Sequence, residues 1–250
     1  PQNNTNKTYW LNITAANITI EAGGKIDVSY KGYSQLNGPG AGKYAATGSG
    51  AGYGDAGGAS TTISGGAAYG NLLLPSDLGS GGGTSSGGAS GGAGGGLIII
   101  SASGILNISG SLLANGNYGG CEGACSAGGG GGAGGGIYIN AFSILGNGFI
   151  QSSGGPKKPC PCGGGTSYGY GGNGAGGRIA IYASNNTFSG TISNILTDPI
   201  LGIYSSLPGS IFLCSSIENV SCATNGSELF SNSSGVLQRT VYSFNSGVNI

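Results

Sequence analysis

Eight carboxylates are the first residues to weigh for chemistry: Glu21, Asp27, Asp55, Asp77, Glu122, Asp198, Glu218 and Glu228. Paired carboxylates flanking a glycosidic bond are the machinery of polysaccharide hydrolysis. The closest pair within one sequence repeat is Glu21 and Asp27. Glu21 falls at a corner, and Asp27 alternates outward from Ile26 and Val28, so the pair reads as solvated surface. The chain has no histidine, which removes imidazole bases and Ser-His-Asp arrangements. Gly-x-Gly matches are not followed by a helical pattern, as a phosphate cradle requires, and the periodic Asp of calcium-binding β-rolls is missing. The sequence therefore predicts no catalytic residues, no metal site, no cofactor and no enzymatic activity.

The chemistry that remains is covalent modification. Asn-x-Ser/Thr sequons occur at Asn3, Asn6, Asn12, Asn17, Asn107, Asn185, Asn219, Asn225 and Asn232, and sequons mark surface positions of secreted chains. Six cysteines accompany them: Cys121, Cys125, Cys160, Cys162, Cys214 and Cys222. An even count in a chain that reads as secreted implies a disulfide framework. Zinc is disfavoured, because Cys160-Pro161-Cys162 is tighter than a usual knuckle and no histidine is present.

Composition points the same way. Of 250 residues, 59 are glycine and only 6% are charged, with zero formal net charge, against ~25% charged in an average soluble domain. Covalent N-glycans are the expected source of hydration. The longest basic run is Lys157-Lys158, far short of a nucleic-acid footprint, and no run of ~18 apolar residues exists to span a membrane. Methionine is absent. Pro1 is expected to lie inside a longer secreted chain, in an extracellular or cell-surface location.

These residues need a scaffold, and four self-similar stretches supply it: Leu11 to Gly32, Leu97 to Gly116, Ile137 to Gly155 and Arg178 to Asn194. Each has an alternating apolar run, an alanine (Ala15, Ala102, Ala141, Ala183), a second short run, a glycine and a third run. The runs are short, β-branched and bounded by Gly, Asn and Ser, which is the strand signature. Glycine costs ~1 kcal/mol per helical position, and no apolar stripe of helical period offsets it. Three strands of three to five residues per unit predict an all-β parallel β-helix, or solenoid, in which each strand bonds its counterpart ~4.8 Å away. In Ile179-Ala180-Ile181 the isoleucines are expected to point in and Ala180 out. Gly104, Gly110, Gly148 and Gly190 are expected at bends of positive φ.

Glycine-rich excursions separate the units: Tyr33 to Gly96, Asn117 to Gly136 and Pro156 to Gly177. They share an ending, with alanine at 93, 133 and 175. Such a recurrent spelling predicts ordered, polyproline-II-like insertions, capped by Tyr44, Tyr53, Tyr69, Tyr168 and Tyr170, rather than flexible linker. Cys121 and Cys160 each lie five residues past the glycine that closes a unit (Gly116, Gly155). Stacked neighbours are within disulfide reach. The stacking therefore predicts Cys121–Cys160 and Cys125–Cys162, with Cys121–Cys125 as the alternative and Cys214–Cys222 as a local bond. Residues 1–195 form the predicted glycine-rich solenoid, and 196–250 a C-terminal β cap or small module.

The segments ITIEAGGKIDVSYKGY, NLLLPSDLGSGGGTSSGGASGGAGGGLII, GGGIYI and GAGGRIAIY resemble a glycine-rich repeat of large secreted and surface proteins of bacteria and protists. The resemblance implies a parallel β-helix with glycine-rich insertions and an adhesin-like or surface role, and it carries no catalytic motif. Dense sequons and paired cysteines depart from it, toward a eukaryotic version. The expected function is an extracellular structural glycoprotein, a filament or coat subunit of the flagellar-hair kind. Its partners are copies of itself, joined head to tail or laterally. An adhesin-like glycan- or surface-binding module is the alternative.

Overall fold

The computed structural model describes residues 5–122, 127–157, 170–195 and 208–215, together with the strands at 227–231 and 238–242. Fourteen strands and no helix appear in this part: β1 (Leu11–Ala15), β2 (Ile18–Ile20), β3 (Lys25–Asp27), β4 (Leu97–Ile108), β5 (Ser111–Leu113), β6 (Cys121–Glu122), β7 (Ala127–Gly128), β8 (Gly136–Leu145), β9 (Phe149–Gln151), β10 (Arg178–Asn186), β11 (Thr191–Ser193), β12 (Ser210–Ser215), β13 (Ser227–Ser231) and β14 (Gln238–Tyr242).

Two main sheets gather these strands. Sheet A has eight, in the order β1-β4-β8-β10-β12-β13-β14, with β2 also beside β4; sheet B has four, in the order β11-β9-β5-β3. Sheet B and sheet A from β1 to β12 are parallel, whereas β12-β13-β14 are antiparallel. The sequence repeats are hydrogen-bonded neighbours in these ladders. Ile98 pairs with Ile137 and Ile137 with Ile179, and Ala15, Ala102, Ala141 and Ala183 form one column. In sheet B the column is Ile26, Leu112, Ile150 and Ile192. The inward columns make one apolar core in which Ile98, Ile100, Ile137, Ile139 and Ile179 are fully buried. Removing a fully buried side chain of this kind from water contributes ~1.5–3 kcal/mol.

This arrangement corrects the expected parallel β-helix solenoid with glycine-rich insertions and a C-terminal β cap. The chain builds two sheets of parallel strands instead of repeating three-strand coils. The run before Ala102 and the short run after it, expected as two of the three strands of that unit, are one twelve-residue strand, Leu97–Ile108. A register irregularity between Ala102 and Ile105 lets β4 run on past the alanine without leaving the ladder. Strand β12 adds directly to β10, and the sheet then turns antiparallel.

The glycine segments are not insertions either. Their described glycine runs, such as 79–83, 91–96 and 129–135, form a buried layer of main chains bonded side by side. Gly82 donates to Gly92 O (2.8 Å), Gly92 to Gly130 O (2.9 Å) and Gly130 to Gly83 O (2.9 Å). Three residues along, Gly79 donates to Gly95 O (2.9 Å), Gly95 to Ala133 O (2.8 Å) and Ala133 to Ser80 O (2.9 Å). The contact recurs every third residue, the period of an extended threefold backbone with no bonds of its own. A Cβ on Gly130 would lie 1.9 Å from Ser49 O, and one on Gly132 2.1 Å from Ala93 O. Glycine is required here for close approach. The same holds at Gly110, Gly148 and Gly190, where a Cβ would meet the carbonyls of Gly24, Gly110 and Gly148 at 2.3, 2.1 and 2.1 Å. None of these three, nor Gly104, has positive φ; among the described glycines that conformation falls at Gly23, Gly38, Gly70, Gly88 and Gly146.

Candidate modification surface and open sheet edges

Strand alternation decides where the sequon asparagines point. In β1, Leu11 and Ile13 are half-buried and the alternate residue Asn12 is exposed to solvent. Asn6 is exposed as well. Asn17 is exposed at the connection from β1 to β2, where its Oδ1 accepts the Ile105 main-chain N–H at 2.8 Å and fills the irregularity of β4. Asn185, on the exposed end of β10, donates from Nδ2 to Ser143 Oγ at 3.4 Å. Asn107 is half-buried, and its Oδ1 accepts from the Ser109 hydroxyl of its own sequon at 3.3 Å. Asn3, Asn219, Asn225 and Asn232 lie outside the described residues.

Cys121 opens the short antiparallel pair β6-β7 and is disulfide-bonded. Cys214 is 2% exposed in β12 and is also disulfide-bonded. Cys125, Cys160, Cys162 and Cys222 lie outside the described residues, and with them the expected pairings. Glu21 and Asp27 are both exposed, and an Asp27 Oδ1 accepts the Ser29 N–H at 2.8 Å. No group of three or more His, Cys, Asp or Glu side chains able to hold a metal ion occurs among the described residues. No helix there is long and apolar enough to cross a membrane.

The outward face of sheet A carries a feature that sequence reasoning missed. Ala180, expected to face solvent, is fully buried with Phe212 and Cys214. The segment from Tyr69 to Leu78 straps this face: Leu72 packs onto the cluster and the Tyr182 hydroxyl donates to Leu73 O at 2.7 Å. Tyr138, Tyr182 and Phe212 run across the strands with ring centroids 5.7 and 5.5 Å apart. The strap belongs to a stretch without strand pattern, so its destination had no local signal.

Where the strap meets the glycine layer, Arg178 donates from Nε to Tyr69 O at 2.8 Å and from Nη1 to Ser210 Oγ at 2.9 Å, with its guanidinium 5.6 Å from the centre of the Tyr53 ring. Tyr53 and Tyr69 are in contact at 4.8 Å. Burial is the main cause that raises both phenols well above their usual range, and burial lowers Arg178. The Tyr53 hydroxyl is enclosed beside the Asp77 main chain, with no well-aligned hydrogen bond among the described residues. Tyr53 thus sits inside the structure, not over the layer as a cap, whereas Tyr44 is 60% exposed.

Two surface features remain. A cleft of about 310 Å³ is lined by Tyr9, Trp10, Asp27 and Lys31, with Tyr9 and Trp10 half-exposed. A broader one of about 660 Å³ runs over the alanine column. Sheet B is bounded by β3 and β11, and among the described residues no strand pairs with the outer edge of either. Comparisons with family models, with curated proteins and with solved structures found no match.

Proposed function

We propose that the protein is an extracellular structural glycoprotein, a subunit that joins copies of itself end to end in a filament or surface coat. The observation that carries this reading is the two edges of sheet B, β3 and β11, beyond which no further strand pairs among the described residues. The sheet is parallel throughout, so its two edges are complementary: β3 of one copy can continue the ladder beyond β11 of another with the same polarity. The column Ile26-Leu112-Ile150-Ile192 would extend by one strand, and its two terminal residues are the ones left half-buried. An exposed edge is a template for pairing, and a head-to-tail contact that does not close yields a fibre. Sequons on the flanking surface fit a hydrated, weakly charged exterior, and the resemblance to glycine-rich surface proteins is in keeping with it. Electron microscopy and sedimentation of the purified, glycosylated protein test this. Filaments that disappear in Ile26→Lys or Ile192→Lys are expected, and monomers at every concentration would refute the proposal.

The cleft at Tyr9 and Trp10 favours a second reading, a glycan-binding module, because aromatic rings beside Asp27 and Lys31 combine a stacking face with polar partners. Binding on a glycan array that Trp10→Ala abolishes would support it.

A further inference from the structure

The cleft over the alanine column has a lining unlike the rest of the surface. Thr14, Ser101, Ser103, Asn140 and Ser184 present hydroxyls and an amide, Phe142 stands 62% exposed among them, and no ionisable side chain among the described residues contributes. A neutral floor of hydroxyls with one bare aromatic face suits a sugar, whose C–H faces pack on a ring while its hydroxyls find polar partners. Two sequon asparagines are sequence neighbours of residues that line the cleft. Asn17 follows the lining residue Ala16, and Asn185 follows the lining residue Ser184.

Asn17 is the one placed to fill it. Its Oδ1 is held by the Ile105 N–H at 2.8 Å, which fixes the plane of the amide. Its Nδ2, the atom that carries an N-linked sugar, has no partner among the described residues. A Cβ on Gly104 would lie 2.5 Å from that Oδ1, so glycine at 104 is what admits the asparagine beside Ser103. At Asn185, by contrast, Nδ2 is turned back onto Ser143 Oγ. Two strand spacings, ~10 Å, separate β1 from the strand that bears Phe142, a distance the first sugars of a glycan can bridge.

We infer that the cleft is the seat of the protein's own N-glycan: the core sugars on Asn17 lie across Ala102 and Ser103 and stack on Phe142. This rests on the glycoprotein part of the function proposed above. The test is to secrete the full chain from a eukaryotic host, measure occupancy at each sequon by glycopeptide mass spectrometry, and follow release by peptide-N-glycosidase under native conditions at Asn17 and at Asn12, which is exposed on β1. Release at Asn17 is expected to be about tenfold slower, the scale of one aromatic contact. Phe142→Ala should abolish the difference, Phe142→Tyr should keep it, and neither should alter Asn12. An empty Asn17 beside an occupied Asn12, equal release rates, or a difference unmoved by Phe142→Ala overturns the inference while leaving the glycoprotein reading intact. Sequons that are all empty overturn both. Filament formation, scored separately, reports on assembly alone.

Discussion

Replacing Gly132 by alanine tests the buried glycine layer most directly. The added Cβ would lie 2.1 Å from Ala93 O and 2.5 Å from Ala93 C, where real contacts do not fall below 3.0 Å, so the two main chains must part by about 0.9 Å. The neighbour is backbone and has no rotamer to yield. Gly132 donates to Asn117 O at 2.9 Å and accepts from Gly155 at 2.8 Å. A shift of that size carries such bonds beyond useful length, at ~1 kcal/mol each. Forced overpacking adds ~1–3 kcal/mol, and the stiffer unfolded chain returns less than ~1 kcal/mol. The expected loss is about 2–5 kcal/mol, a large share of the ~5–15 kcal/mol that holds most domains together. Gly23→Ala is the control: it has positive φ (83°) but nothing within 4 Å of the added atom, so it should lose only the ~1–2 kcal/mol of that conformation. Urea unfolding with a slope near 3 kcal/mol/M should place the Gly132→Ala midpoint ~1 M below wild type. Equal midpoints for wild type and Gly132→Ala would show that the glycine main chains are not in contact, and the reasoning would fail.

Tyr53→Phe removes a buried hydroxyl that has no well-aligned partner among the described residues and should leave stability unchanged or raise it by up to ~1 kcal/mol; a loss above 2 kcal/mol in thermal unfolding would show that the hydroxyl is bonded. Both Tyr53 and Tyr69 are raised above the ordinary phenol value of 10, so the unfolded chain releases these protons first, and stability should be level below pH 10 and fall as pH rises beyond it. In Tyr53→Phe that alkaline slope should shrink by about one proton, and an unchanged slope would refute the assignment. Arg178→Lys keeps the charge but loses the fork that reaches Tyr69 O and Ser210 Oγ, so a loss of ~2–3 kcal/mol is expected, against no more than 0.5 kcal/mol if the guanidinium is replaceable. Ile139→Ala, at a fully buried column position, should cost ~2–5 kcal/mol without affecting release at Asn17 in the protein that remains folded.

The strands were legible because the sequence spells them with the same alternation each time. Ile98, Ile100, Ile137, Ile139, Ile179 and Ile181 are the inward residues of three neighbouring strands. Strand length was not legible. Alanine followed by a small polar residue reads as a corner, yet a ladder bonded on both sides carries β4 straight past Ala102. The recurrent glycines were visible but their reason was misjudged: at Gly110, Gly148 and Gly190 what matters is a neighbouring carbonyl at 2.1–2.3 Å and not the sign of φ, and a single chain read in isolation carries no trace of its neighbour. The strap over Ala180 and the Tyr53-Arg178 contact depend on partners 109 residues and more apart, beyond any local pattern. Among the modification sites, the sequons could be found from three letters each. Their inequality could not, since it depends on what each amide touches.

The glycine layer also constrains how the fold is held together. Glycine loses more backbone entropy on ordering than any other residue and has no side chain to bury, so a layer of it cannot drive its own formation. Its hydrogen bonds contribute ~1 kcal/mol net apiece, comparable with the ~1–2 kcal/mol lost per ordered residue. The surplus has to come from the isoleucine columns at its border. The geometry allows this, because each glycine segment is tethered at both ends by strands of that core: residues 114–135 run from β5 to β8, and 152–177 from β9 to β10. Once the columns have stacked, the ends of every segment are fixed ~4.8 Å from those of the next, and what remains is to lay down main chain against main chain. Any residue larger than glycine at the contact points would hold the segments apart and expose their amides. The composition that looks like a linker is thus the only one that lets the spans between strands bond to one another, and the spacing that the columns impose is what makes those bonds form.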